Sequence, residues 1–183
     1  MKTCILIAIA LTICLVATQV DAQSTKLEYV SKIIEQSDSP IKILSYRSSY
    51  GMHSKVALVG EKTEGVRHQT EHQNVSERGI MAVELGYVMF DLYDEFLDFI
   101  RTSEINLLKP SDKDKSDGIY ERAIYERAST FLTGAAFVSK VRFADGEVWR
   151  ANLDAIAQEL AKIDKEFQAS ALKPKSGSEG QQK

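Results

Sequence analysis

The stretch from Phe137 to Trp149, FVSKVRFADGEVW, constrains the fold more than any other part of the chain. Phe137, Ser139, Val141 and Phe143 recur at every second position, with Val138, Lys140 and Arg142 between them. A period of two sends successive side chains to opposite faces of a strand, one toward a core and one toward water. Asp145-Gly146 follows, and both residue types accept the positive φ of a two-residue type I′ turn. With that loop Ala144 pairs with Glu147, Phe143 with Val148 and Arg142 with Trp149. Phe143, Asp145, Gly146 and Trp149 are thus expected to be structural, with the Phe143/Val148 pair and Trp149 in the core.

The beginning of the chain reads as an address. Met1 to Ala22 has one positive charge, Lys2, then an apolar run from Cys4 to Val16 and a Val20-Asp21-Ala22 ending. That is the pattern of a signal peptide cut before Gln23, and the apolar run is short for a membrane span. A lipoprotein site at Leu11-Thr12-Ile13-Cys14 is disfavoured, because bulky Ile13 stands where a small residue belongs. Both cysteines, Cys4 and Cys14, lie in this leader, so the mature chain forms no disulfide. A thiol-free exported domain suits a bacterial envelope, periplasmic or extracellular, better than eukaryotic secretion. Asn74-Val75-Ser76 is a glycosylation sequon that matters only in the eukaryotic case. The net charge of −3 leaves no footprint for nucleic acid, and no stable membrane insertion is expected.

Along the rest of the chain, residues 23–40 read as an N-terminal linker, with a short amphipathic helical turn at Leu27 to Ile34. Ile41 to Tyr46 and Lys55 to Val59 read as strands separated by a bend at Ser48-Ser49-Tyr50-Gly51. Gly65 to Asn74 alternates among polar residues and reads as an edge or solvent-facing strand, and Asn74 to Gly79 as a turn. Ile80 to Asp91 is the longest strand candidate, since Met81, Val83, Leu85, Tyr87 and Met89 make one apolar face. Tyr93 to Arg101 fits a strand better than a helical turn. Lys109 to Gly118 reads as a loop, and the IYERA-IYERA repeat at Ile119 to Ala128 as a strand entering a loop. After the hairpin, Asn152 can cap a helix whose Leu153, Ile156, Leu160, Ile163 and Phe167 form one apolar stripe.

The expected architecture is mainly β: a β-sandwich over 41–150, a C-terminal amphipathic helix over 151–168 packed on or beside it, and a disordered tail over 169–183. The segments VSERGIMAVELGYVMFDLYDEFL and AAFVSKVRFADGEVW resemble those of small secreted bacterial domains with an immunoglobulin- or fibronectin-III-like sandwich. The resemblance spans roughly Ile41 to Trp149. It implies the fold and no activity.

Several constellations invite chemistry. His68-Gln69-Thr70-Glu71-His72 spells H-x-x-E-H, which on a helix would hold zinc between the histidines with the glutamate as base. Gly65 before it and Asn74-Val75-Ser76 after it leave no room for such a helix. On a strand the histidines share a face but stand roughly 13 Å apart at strand rise, so a solvated strand face is the expectation and no metal site is assigned. Asp112 to Gly118 falls short of a calcium loop, because its glycine comes one position late and Ala123 stands at the bidentate glutamate position. Asp91, Asp94, Glu95 and Asp98 cluster as carboxylates at a strand end can. The aromatics Tyr46, Tyr87, Phe90, Phe131, Phe137, Phe143 and Trp149 read as core.

These features point to an exported, non-catalytic binding or structural module without a cofactor, meeting an unknown protein or envelope ligand through strand edges or loops. The alternative is a small metal-dependent hydrolase using His68, Glu71 and His72. If the leader reading holds, intact mass of the exported protein gives a chain beginning at Gln23, and retained Met1 or lipidated Cys14 rejects it.

Overall fold

The computed structural model describes residues 28–54, 60–121 and 127–173. Among the described residues eight strands run in the order β1 (Val30–Ile33), β2 (Ile41–Ser54), β3 (Lys62–Asn74), β4 (Ile80–Asp91), β5 (Phe96–Glu104), β6 (Lys113–Glu121), β7 (Phe131–Phe143) and β8 (Val148–Arg150). Helix α1 (Leu153–Leu160) follows. The larger sheet has the order β1-β7-β4-β5 with β8 also on β7, and the smaller sheet has the order β2-β3-β6. All the pairings are antiparallel except that of β1, which runs parallel to β7. The chain is therefore mainly β, with two sheets packed face to face.

Alternation along β4 and β7 explains the layering. Val83, Leu85, Tyr87 and Met89, with Ala136, Val138 and Val141, meet Ile41, Ile43 and Val66 of the smaller sheet in one core. Val88, Phe90, Ala135 and Phe137 form a second core with Ile156, Leu160, Phe167 and Leu172. The larger sheet is thus covered on both faces, which is why β4 and β7 are apolar almost throughout. Asn152 caps α1 by accepting from the amides of Asp154 and Ala155. The helix ends at Leu160, yet Ile163 and Phe167 still pack against the sheet from the turns beyond it.

Several expectations change. The hairpin after β7 is not a two-residue type I′ turn. Arg142 faces Val148 and Val141 faces Trp149, one register position away from the expected pairing. Gly146 donates to the Phe143 carbonyl and has φ +94°, while Asp145 is not among the residues with positive φ. This is a three-residue loop with glycine at its left-handed position, the other common hairpin solution. Phe143 is buried as expected, but Trp149 is only half-buried at the sheet margin. Val30–Ile33 is a strand rather than a helical turn, because β7 offers it a free edge. The bend at Ser48 to Gly51 lies inside continuous β2, and Lys55 to Val59 falls outside the described residues. Lys113 to Gly118 belongs to β6 rather than to a loop, each of its residues in register with one of β3. Leu172, expected in a disordered tail, is fully buried in a 3-10 turn at Ala169–Leu172. Tyr93 to Arg101 resolves as a turn and strand β5.

The strand orders differ from the immunoglobulin orders A-B-E-D and C-F-G. Here the hairpins are β2–β3, β4–β5 and β7–β8, and the longer connections pair β3 with β6 and β4 with β7.

The β4–β7 ladder gives a sharp stability test. Gly86 lies opposite Phe137, whose ring would stand 2.6 Å from a Cβ at that position. Phe137 is itself fully buried and stacks on Phe99, so it has nowhere to retreat. Gly86→Ala should cost about 1–3 kcal/mol, the usual penalty of overpacking a filled core, read as a lower urea midpoint at unchanged m-value.

Candidate functional site

Between the two sheets the apolar core takes in a polar group along β3. His68, Thr70 and His72 of β3 alternate inward, and all are buried. Tyr46 and Ser48 come from β2, Ser116 and Tyr120 from β6, and Tyr87 from β4 across the gap. The His68 ring stacks on Tyr87 at 4.7 Å and on Tyr46 at 5.9 Å, with Tyr120 and Phe131 edge-on. Its Nδ1 is 2.7 Å from the Tyr46 hydroxyl. The Tyr87 hydroxyl meets Thr70 Oγ1 at 3.0 Å and donates to Ser116 Oγ at 3.4 Å. Opposite Gly134 there is no room for a Cβ, which would lie 2.4 Å from the Tyr46 oxygen. Glycine there lets the sheets close over the tyrosine.

Burial sets the protonation of this group. Desolvation lowers the His68 pKa to about 3, so the ring is neutral at physiological pH. The same cause raises the Tyr87 hydroxyl to about 12 and the Tyr46 hydroxyl still further. None of these groups is poised for proton transfer near neutrality.

The sandwich has two unlike sides. On one, Ser31 of β1 meets Ser48 of β2 through their hydroxyls at 3.0 Å and through the Ser48 amide at 2.8 Å. On the other, β5 and β6 approach, with Thr102 Oγ1 and the Tyr120 hydroxyl 2.6 Å apart. There His72, Glu104 and Asp114 bring three donor atoms within 4.8 Å of one another. Asp114 faces His72 in the β3–β6 register, and Glu104 ends β5 in the other sheet. Asn106 Nδ2 donates to Asp114 Oδ2 at 2.7 Å, and the Lys115 amide donates to Oδ1 at 2.8 Å.

The outer face of the smaller sheet is a separate surface. A depression of about 340 Å³ lies over Arg47, Gln69, Glu71, Lys115 and Asp117. Arg67 forks onto Asp117, its Nε donating at 2.8 Å and its Nη2 to the second oxygen. That fork holds the Asp117 carboxyl below the usual range, because the guanidinium favours its charged form.

The H-x-x-E-H residues do lie on a strand, β3, but the solvated-face expectation fails: His68 and His72 are both 0% exposed. β3 is the central strand of its sheet rather than an edge, and tyrosines of three other strands shelter its inner face. Glu71, one position from His72, faces outward among the residues of the depression. The structure therefore does not bring His68, Glu71 and His72 into one set. Of the carboxylate cluster, Asp91 is buried and accepts from the amides of Tyr93 and Glu95 at 2.8 and 3.0 Å, and Arg127 binds its other oxygen at 2.7 Å. It builds the β4–β5 turn. Glu104 escaped sequence reading, and Asp114 entered it only within the disfavoured calcium loop, because their neighbours in space are far away in sequence. The one available signal is the alternation Asp114, Ser116, Gly118, Tyr120, a polar inward face that does not look like a core strand.

No family model matches the chain, and no curated protein matches it. Among solved structures, a hypothetical protein from Peptoclostridium difficile 630 aligns with TM-score 0.47 and 10% identity, over 70% of this chain and 93% of that one. A Northeast Structural Genomics Consortium target aligns with TM-score 0.37 and 11% identity, over 61% and 80%.

A neutral buried histidine ties stability to pH. The unfolded chain takes up a proton at His68 below about 6.5, whereas the folded chain does so only near 3. Stability is then complete above pH 6.5 and falls as pH drops from 6.5 toward 3, by on the order of a few kcal/mol. Denaturant melts across this range should show that slope. It should become shallower in His68→Phe, which keeps the stacked ring and removes that titration, while His72, lowered by burial, still contributes.

Proposed function

We propose that the protein is an exported, non-catalytic binding or structural module, immunoglobulin-like only in the loose sense of two packed β-sheets. The observation that carries this reading is the outer face of the smaller sheet. Arg47, Gln69, Glu71, Lys115 and Asp117 present both charge signs and an amide around a shallow depression. They project from β2, β3 and β6, regular strands whose backbone is fixed by continuous pairing, so the surface is preorganised. Mixed charges on a rigid face suit a polar partner, a protein or an envelope ligand, recognised by complementary hydrogen bonds and ion pairs. The stacked rings behind the same strands fill the interior and leave the chemistry to the surface.

Support for export comes from the Met1 to Ala22 pattern, and the absence of cysteine after Cys14 suits a bacterial envelope better than eukaryotic secretion. Among the described residues no helix is long and apolar enough to cross a membrane.

Combined replacement of Arg47, Gln69 and Glu71 by alanine tests the face directly. Arg47 and Gln69 are exposed and Glu71 is half-exposed, so each change should move stability by no more than about 0.5 kcal/mol. Wild-type protein immobilised on beads should retain a component of the native envelope extract that the triple variant fails to retain. Equal retention by both proteins would move the contact surface elsewhere.

A further inference from the structure

We propose that His72, Glu104 and Asp114 form a binding site for a divalent transition-metal ion, zinc by its ligand set, placed between the two sheets on their β5–β6 side. The inference goes beyond the surface reading above and does not rest on it. It uses neither His68 nor Glu71.

The first observation is convergence. Three side chains from β3, β5 and β6, and thus from both sheets, aim donor atoms at one point within 4.8 Å. Around zinc, with bonds of about 2.0–2.2 Å, tetrahedral donors stand roughly 3.4 Å apart. Closing the remaining gap needs small rotamer adjustments and no change of strand register.

The second observation is independent of the carboxylates. His72 is 0% exposed, and neither of its ring nitrogens has a hydrogen-bond partner. Glu104 Oε2 is likewise buried and unpartnered. Buried polar atoms are almost always satisfied, and such a gap calls for a water, an ion or a special role. A bare imidazole nitrogen beside two carboxylates matches a cation better than it matches water. A cation also relieves the repulsion between Glu104 and Asp114.

The surroundings resemble an outer ligand shell. Asn106 and the Lys115 amide hold Asp114 through its two oxygens. Such contacts orient ligating carboxylates. Glu104 and Asp114 are half-exposed and Asn106 is exposed, so an ion can reach the site from solvent. One imidazole with two carboxylates favours zinc over calcium or magnesium, which prefer all-oxygen sets. With ligands from both sheets, the ion would act as a clip between them.

The test uses the purified full chain, loaded with zinc sulfate and dialysed. One zinc per chain is expected by elemental analysis, with a raised thermal midpoint that EDTA reverses. Glu104→Gln and Asp114→Asn should each lose the metal and the midpoint shift, and Glu71→Gln should keep both. A measurement on the unmutated chain guards against variants that fail to fold. The chain has three histidines, and zinc should move the imidazole resonances of His72 while leaving those of His53 and His68 in place. Background zinc in the wild-type protein, or perturbation of His53 in place of His72, would overturn the proposal.

Discussion

Along the β4–β7 ladder, alternate side chains feed two separate apolar cores: Leu85, Tyr87 and Val138 toward the smaller sheet, Val88, Phe90 and Phe137 toward the C-terminal segment. Neither core exists without that pairing. α1 is only eight residues long and would be marginal alone in water, so its order derives from the sheet it covers. The smaller sheet depends on the ladder for Tyr87, which supplies both a stacking face for His68 and a hydroxyl for Thr70 and Ser116. Loss of register between β4 and β7 would therefore empty both layers together. Cooperative unfolding of the described residues follows from this shared spine.

The two cores are chemically unlike, and that difference separates scaffold from candidate function. The core under α1 is aromatic and aliphatic, closed by the Phe90, Phe96 and Phe167 rings. The core between the sheets admits histidine, threonine, serine and tyrosine, most of them satisfied by one another. Satisfied buried networks fix a unique arrangement, because any shift breaks a hydrogen bond in a medium where replacement partners are absent. Among the described residues, the unsatisfied buried side-chain atoms include three on the β5–β6 side, both ring nitrogens of His72 and Glu104 Oε2, beside His68 Nε2 within the ring cluster and His53 Nε2 on β2. Polar residues in β3 thus serve two ends, rigidity near Tyr46 and unspent donor capacity near Asp114.

The parts of the fold legible in the sequence were those with strong local period. β4, β7, the hairpin position and the Asn152 cap all rest on short-range patterns that burial reinforces. What failed was context. GVRHQTEHQN looks solvated because nothing in its own composition reveals that tyrosines from three other strands will shelter it. KDKSDG looks like a loop because its only support as a strand comes from pairing with distant β3. The hairpin slipped one residue because glycine alone took the left-handed conformation, leaving Asp145 in an ordinary one. The proposed ligand set was illegible for the same reason as β6: Glu104 and Asp114 meet His72 only after both sheets have formed.

Asn74 sits at the end of β3 with its side chain wholly enclosed. Its amide nitrogen donates to the carbonyls of Arg78 and Leu108, and its oxygen receives the Ser76 amide and hydroxyl. Asn74-Val75-Ser76 is also the only part of the chain read above as a glycan acceptor. A sugar can be joined only to that same nitrogen, which would cost it a hydrogen and force a bulky hydrophilic group into closed space. Occupancy and the native turn are therefore mutually exclusive states of one atom. In a compartment with the glycosylation machinery, the outcome would be a race between transferase and turn closure. Every chain that folded first would be sealed against modification, and every chain that lost the race would be barred from this fold.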